Sequence, residues 1–153
     1  MAGILLTLHI LVFVIAFAFT AGVGILSARV ARSGDARVIH GVFVAARPLQ
    51  WVGAIGWFVA GALGAWIAVE AGLPLDQPWL LWSYLAFAVL VVAGVGMHAP
   101  WQAKVIAASA GSTDGIVTPE LDRLLRSPVH PIASALSAVS FIALVYLMTA
   151  QPG

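Results

Sequence analysis

Four long runs of apolar residues, separated by shorter polar stretches, set the plan of this chain: about Gly3–Ala28, Pro48–Glu70, Trp79–Ala99 and Pro131–Ala150. A helix rises about 1.5 Å per residue and the hydrocarbon core of a bilayer is about 30 Å thick, so roughly 20 apolar residues make one span. Each run has that length. The pattern predicts an all-α protein, a four-transmembrane-helix bundle, with residues 1–153 forming a single integral membrane domain. The run ends carry punctuation that suits helix termini. Pro48 fits a first helical turn, Gly72-Leu73-Pro74 closes the second run, Pro78 precedes the third and Pro131 opens the fourth.

The second run is built to be surrounded. Gly53, Ala60, Gly64 and Ala71 fall on one helical face with Gly56 beside them, and Gly61 and Ala65 make a second small patch on the other side. In lipid no hydrophobic drive brings helices together, so small residues are what let backbones approach closely enough to gain dispersion energy. A helix that is small on two sides predicts neighbours on two sides, from this chain, from a second copy or from a partner membrane subunit.

The polar stretches between the runs give an orientation. Arg29, Arg32, Arg37 and Arg47 lie between the first and second runs, and Lys104, Arg123 and Arg126 between the third and fourth. The remaining loop holds only Glu70 and Asp76. Basic residues collect on the cytoplasmic side, so both termini are expected outside and the two longer loops inside. The first run is not a good signal peptide, because its basic residues follow it. Within the inner loops, Thr118-Pro119-Glu120 resembles a helix start, and Leu121, Leu124 and Leu125 then share a face; a short interfacial helix is expected there. Gly111 to Gly115 reads as a flexible turn region. Arg29 to Ala46 is expected to continue the first helix, break near Ser33-Gly34-Asp35 and return along the membrane surface. The loop Leu73–Gln77 is short enough to make the second and third helices an antiparallel hairpin. Trp66, Trp79 and Trp82 are read as an outer aromatic belt, Trp51 and Trp101 as an inner one, and Trp57 as packed within the bundle.

Composition narrows the function classes. Charged residues are only 8% of the chain against about 25% in soluble domains. A net charge of +1 with no basic cluster excludes a nucleic-acid partner; the bilayer is the partner the composition implies. The absence of cysteine excludes disulfides, thiolate-held clusters and cysteine nucleophiles. No metalloprotease, phosphate-loop or nucleophile-elbow motif is present.

Four histidines remain as candidate chemistry. His9 lies about 10 Å into the first helix, on a small and polar stripe with Ala16, Thr20 and Ser27. It is either a neutral imidazole bonded to a neighbouring helix or a ligand or relay group. His98 sits near the inner end of the third helix, below Gly94, Val91, Phe87 and Tyr84 on one face. It is either an ordinary interfacial residue or a haem ligand beside an aromatic wall. The two stand at depths some 15–20 Å apart and cannot share one iron. His98 could share a depth with His40 or His130, but His40 falls in a loop and His130 between Pro128 and Pro131, and both are read as surface residues. Ser134, Ser137 and Ser140 are read as helix-packing residues.

Several short stretches carry a family likeness: Leu8-His9-Ile10, Arg32-Ser33-Gly34-Asp35, Ala71-Gly72-Leu73-Pro74-Leu75, Pro78-Trp79-Leu80-Leu81 and Tyr146-Leu147-Met148. Together they resemble the bacterial integral membrane proteins of domain-of-unknown-function 2269, over nearly the whole chain. That resemblance implies the bacterial inner membrane and brings no catalytic residues. More distantly, Leu8-His9, with His98 as candidate counterpart of a histidine late in helix three, resembles the four-helix protoporphyrinogen oxidases and copper-resistance D-type membrane proteins. That likeness implies haem b as a cofactor, with His98 and His9 as ligands at separate sites. The lysine those oxidases show near the start of helix three is absent from Trp82-Ser83-Tyr84-Leu85. The favoured reading is an accessory, non-enzymatic membrane component; a haem-binding redox protein and a small-solute or metal permease with His9 and Thr20 along its path are the alternatives.

Overall fold

A computed structural model describes residues 2–112 and 114–151, and Thr113, inside the expected turn region, lies outside them. Every regular element among the described residues is helical. The α-helices are α1 (Ala2–Val30), α2 (Ala36–Glu70), α3 (Pro78–Val91), α4 (Ala99–Ser109), α5 (Pro119–Leu125) and α6 (Val129–Ala150); a π-helical segment, Val92–His98, joins α3 to α4. Four stretches are long and apolar enough to cross a membrane: Gly3–Val30, Ala36–Glu70, Pro78–Ser109 and Pro119–Ala150. The all-α, four-span plan is borne out. Large apolar side chains such as Ile4, Ile25, Ile55, Val139 and Ile142 are exposed, as a surface solvated by lipid requires.

α2 begins twelve residues before the expected start at Pro48. The Asp35 carboxylate caps it, accepting from the backbone N–H of Arg37 at 2.9 Å and of Val38 at 3.4 Å. The first turns are amphipathic, burying Ala36, Ile39, Phe43 and Ala46. Pro48 therefore lies inside the helix, where it leaves the carbonyl of Val44 without its usual partner. At 35 residues α2 is about 52 Å long, well beyond one hydrocarbon thickness, so it projects past it. The expected break at Ser33-Gly34-Asp35 is present, with Gly34 at φ 73°.

The projecting part of α2 has its own core. Phe43 and Ile39 meet Trp101 and Val105 of α4 and Leu121 of α5. Thr118 caps α5 as expected, accepting from Leu121 N–H at 3.2 Å. The leucine face of α5 is spent on this protein core rather than on a lipid interface. Trp101 is buried here, not in a belt, and its indole N–H donates to the Leu124 carbonyl at 2.9 Å. At the other end Trp79 is likewise buried, with Ala68, Leu80 and Leu147. Trp51, Trp66 and Trp82 are exposed and Trp57 is buried, as the sequence suggests.

The spans pack as two close pairs, α1 on α2 and α3 on α6. Close packing is thus not between the hairpin neighbours α2 and α3. The glycines of α2 explain its intimacy with α1. A Cβ at Gly56 would stand 2.9 Å from the Cβ of Ala16, and one at Gly53 2.7 Å from Cγ2 of Thr20. On the other side, a Cβ at Gly61 would meet the Phe87 ring of α3 at 3.0 Å. Both small faces of α2 are occupied from within the chain. Aromatic side chains close the gap between the pairs at mid-height: Phe141 of α6 stacks on Phe17 at 3.8 Å and on Phe13 at 5.2 Å.

Candidate functional site

Below that aromatic layer the two pairs separate around a cavity of about 530 Å³. Phe17, Trp57, Phe58 and Leu90 line its apolar part, while Arg32, Arg47, Gln50, His98, Gln102 and His130 line it toward the arginine-rich end. From Arg47 to Phe58 along α2 the wall runs eleven residues, about 16 Å. One end is therefore polar and cationic and the other oily. The size falls within the roughly 300–1,000 Å³ of small-molecule sites, which are mostly apolar with a few placed polar groups.

Three helices contribute to a hydrogen-bonded chain in this wall. Gln50 of α2 donates its amide to His98 Nδ1 at 2.8 Å. His98 Nε2, 3.1 Å from His130 Nδ1, donates onward to α6. His130 lies flat against Trp101, with centroids 4.9 Å apart and planes 17° apart. Because Nδ1 of His130 accepts, its Nε2 carries the proton. Buried polar groups in an apolar wall demand partners, and this chain supplies them in sequence.

The π segment aims His98. Pro100 offers no N–H to the Gly96 carbonyl and its ring crowds that carbonyl. The widened turn, in which Ala99 N–H bonds to Gly94 O, accommodates this where Gly94 and Gly96 leave backbone room. An extra residue in a turn shifts the following face by about 100°. Of the face expected above His98, Gly94 and Val91 share the cavity with it, and Phe87 and Tyr84 do not. Phe87 packs on Gly61 and Phe58, whereas Gly94 and His98 line the cavity.

The expected surface positions of His40 and His130 are corrected. His130 is half-buried in the cluster above. His40 lies in α2, its Nδ1 3.1 Å from Ser109 Oγ. That hydroxyl donates to the Val105 carbonyl at 2.8 Å, so His40 is the donor. His9 is buried, and its Nδ1–H donates to the Ala60 carbonyl at 2.9 Å. It lines neither this cavity nor a second one of about 550 Å³ bordered by Arg32, Asp122, Arg126 and His130, whereas Thr20 lines the first. His9 and Thr20 thus share no path through either cavity. Ser134 and Ser137 line the first cavity, and Ser140 is buried in the bundle.

A haem iron needs a free imidazole nitrogen. His98 commits both of its nitrogens to Gln50 and His130, and His9 stands apart from the cavity, so the arrangement does not fit either as an axial ligand. Among the described residues no three His, Asp or Glu side chains converge as metal ligands. Of the site residues, Gln50 and Gln102 are absent from the sequence reading, Arg32 and Arg47 enter it only through topology and family likeness, and His130 is read there as a surface residue. The signal available for His130 was its shared depth with His98.

A family model described as "Predicted integral membrane protein (DUF2269)" matches residues 3–152. No curated protein and no solved structure matches the chain.

Proposed function

This chain belongs to the DUF2269 family of predicted integral membrane proteins, and we propose that it is an accessory, non-catalytic component of the bacterial inner membrane that holds a small amphipathic molecule between its two helix pairs. One observation carries this reading: the Gln50–His98–His130 chain, drawn from three helices, polarises one end of an otherwise apolar cavity. Such a wall orients a molecule with an oily body and a polar end. The histidine hydrogen bonds there run to Gln50 and to each other rather than to the Ser134 or Ser137 hydroxyl, and no metal cluster converges there among the described residues. In this reading the arginine-rich end is cytoplasmic and both termini face outward.

The test is native mass spectrometry of the detergent-extracted protein. A co-purifying small molecule is expected in the natural chain and lost when the cavity is filled from either wall, by Ala54→Phe or by Ser137→Phe. A bound molecule that survives both substitutions, or none in the natural chain, would overturn the reading. A reduced-minus-oxidised absorption spectrum separates it from haem binding. A featureless visible region is expected; a Soret band abolished by His98→Ala would transfer the assignment to haem.

A further inference from the structure

The cavity wall carries positive charge without an acid to balance it. Two ion pairs occur among the described residues, Arg37 with Asp35 and Arg126 with Asp122. Arg32 and Arg47, which line the cavity, belong to neither, and no Asp or Glu lines the cavity with them. Both arginines are exposed, which puts them where the cavity opens. Inside, Gln102 is 2% exposed and lines the same cavity, and its Nε2 donor is buried with no hydrogen-bond partner. A buried N–H without an acceptor is costly and rare, and the Gln102 amide, shut in behind the wall that its residue lines, gains a partner when it turns toward an acceptor held in the cavity.

We infer that the molecule held here is a single-chain anionic amphiphile, its carboxylate or phosphate head taken by Arg32, Arg47 and Gln102 and its tail lying toward Trp57 and Phe58. The inference rests on the cavity being a binding site and adds the sign of the ligand. Guanidinium groups match carboxylate and phosphate oxygens in pairs, and such charge-assisted bonds are the strong ones. An amide N–H completes the head from the buried side. The chemistry excludes a cationic head, which would face two arginines and an amide donor. The cavity's volume, about 530 Å³, suits one chain rather than the bulk of a two-chain lipid.

The experiment measures thermal unfolding of the full chain in a neutral detergent against rising concentrations of four probes: oleate, lysophosphatidate, uncharged monoolein and a quaternary ammonium amphiphile. A ligand that binds only the folded state raises the midpoint in a saturable way. Oleate or lysophosphatidate is expected to bind about tenfold or more tightly than monoolein, and the ammonium probe not to stabilise. Which anionic probe is tighter identifies the head. The Arg32→Gln, Arg47→Gln double variant is expected to lose that margin for the anions and keep the monoolein affinity. Gln102→Leu supplies an independent reading: it should weaken anion binding while leaving the unliganded protein as stable as before or more so, since it removes an unpaired buried donor. Equal binding of charged and uncharged probes, or unchanged anion binding in both variants, would overturn the anionic assignment while leaving the cavity reading in place. Failure of every probe to bind would overturn both.

Discussion

The Cβ that Gly64 lacks would stand 3.0 Å from Cε1 of His9, on a ring whose Nδ1–H is already held by the Ala60 carbonyl one turn away. The imidazole fits against α2 because position 64 has no side chain. Gly64→Ala has two opposed effects. Helix propensity favours alanine by about 1 kcal/mol, whereas crowding a pinned ring disfavours it by about 1–3 kcal/mol. The net effect is expected to be destabilising. In a His9→Ala background only the propensity remains, so the same substitution should stabilise. A double-mutant cycle on unfolding midpoints in detergent checks this. A Gly64→Ala effect of the same sign in both backgrounds would show that the ring and the missing Cβ are not coupled.

The hydrogen-bond partners also fix four tautomers. His9 donates from Nδ1 to a carbonyl, and His40 donates from Nδ1 to a hydroxyl already committed to Val105. Both neutral rings should therefore be Nδ1–H. His98 accepts at Nδ1 from Gln50 and donates from Nε2, and His130 accepts at Nδ1, so both should be Nε2–H. Nitrogen NMR of ring-labelled protein in mildly alkaline buffer distinguishes the two forms. Two of each kind are expected. Gln50→Leu should disturb the His98 and His130 signals and leave those of His9 and His40 in place.

The four spans and the packing glycines of α2 were legible because both are local patterns. A run of about 20 apolar residues is its own evidence for a span, and Gly53, Gly56 and Gly64 fall on one face whatever packs there. The His98–His130 pair was not, for two physical reasons. The π segment changes the phase of the helix after Val91, so a straight-helix projection finds Gly94 and Val91 beside His98 but adds Phe87 and Tyr84, and it does not show His130 or Gln50. Pro128 and Pro131 read as loop punctuation, yet Pro128 is the N-cap residue of α6 and Pro131 sits in its first turn, where a missing N–H matters least. Gln50 was hidden by the early boundary: with a helix starting at Pro48 it is a first-turn residue, whereas with Asp35 as cap it stands mid-helix and inside.

That boundary gives a direct prediction. Asp35 supplies the cap for a helix whose first turns carry Ile39 and Phe43 into the α4–α5 core. Asp35→Ala should cost about 0.5–2 kcal/mol of local stability. Amide exchange over residues 36–39 should accelerate by roughly threefold to thirtyfold, while Ala54–Gly64 is unaffected. Arg37 lies beside Asp35 at 3.7 Å but both are substantially exposed, so Arg37→Ala should change exchange far less. Comparable acceleration in the two variants would mean the ion pair, not the cap, starts α2.

The natural absence of cysteine makes the proposed orientation open to direct test. Single cysteines can be placed at Ser33 and Asp114, in the turns at the arginine-rich end, and at Asp76, in the turn between α2 and α3. The first two lie at the end where α2 and α4 share their core, since Ala36 N–H bonds to the Gly115 carbonyl at 2.9 Å. Asp76 lies at the other end, close to the Trp79 cluster. With the arginine-rich end facing the cytoplasm, a membrane-impermeant maleimide added to intact cells should label the Asp76→Cys variant and spare the other two. Opened membranes should allow all three to react. Labelling of Ser33→Cys and Asp114→Cys in intact cells would invert the topology. The mouth of the cavity, marked by Arg32 and Arg47, would then draw its anion from the outer side of the membrane rather than from the cytoplasm.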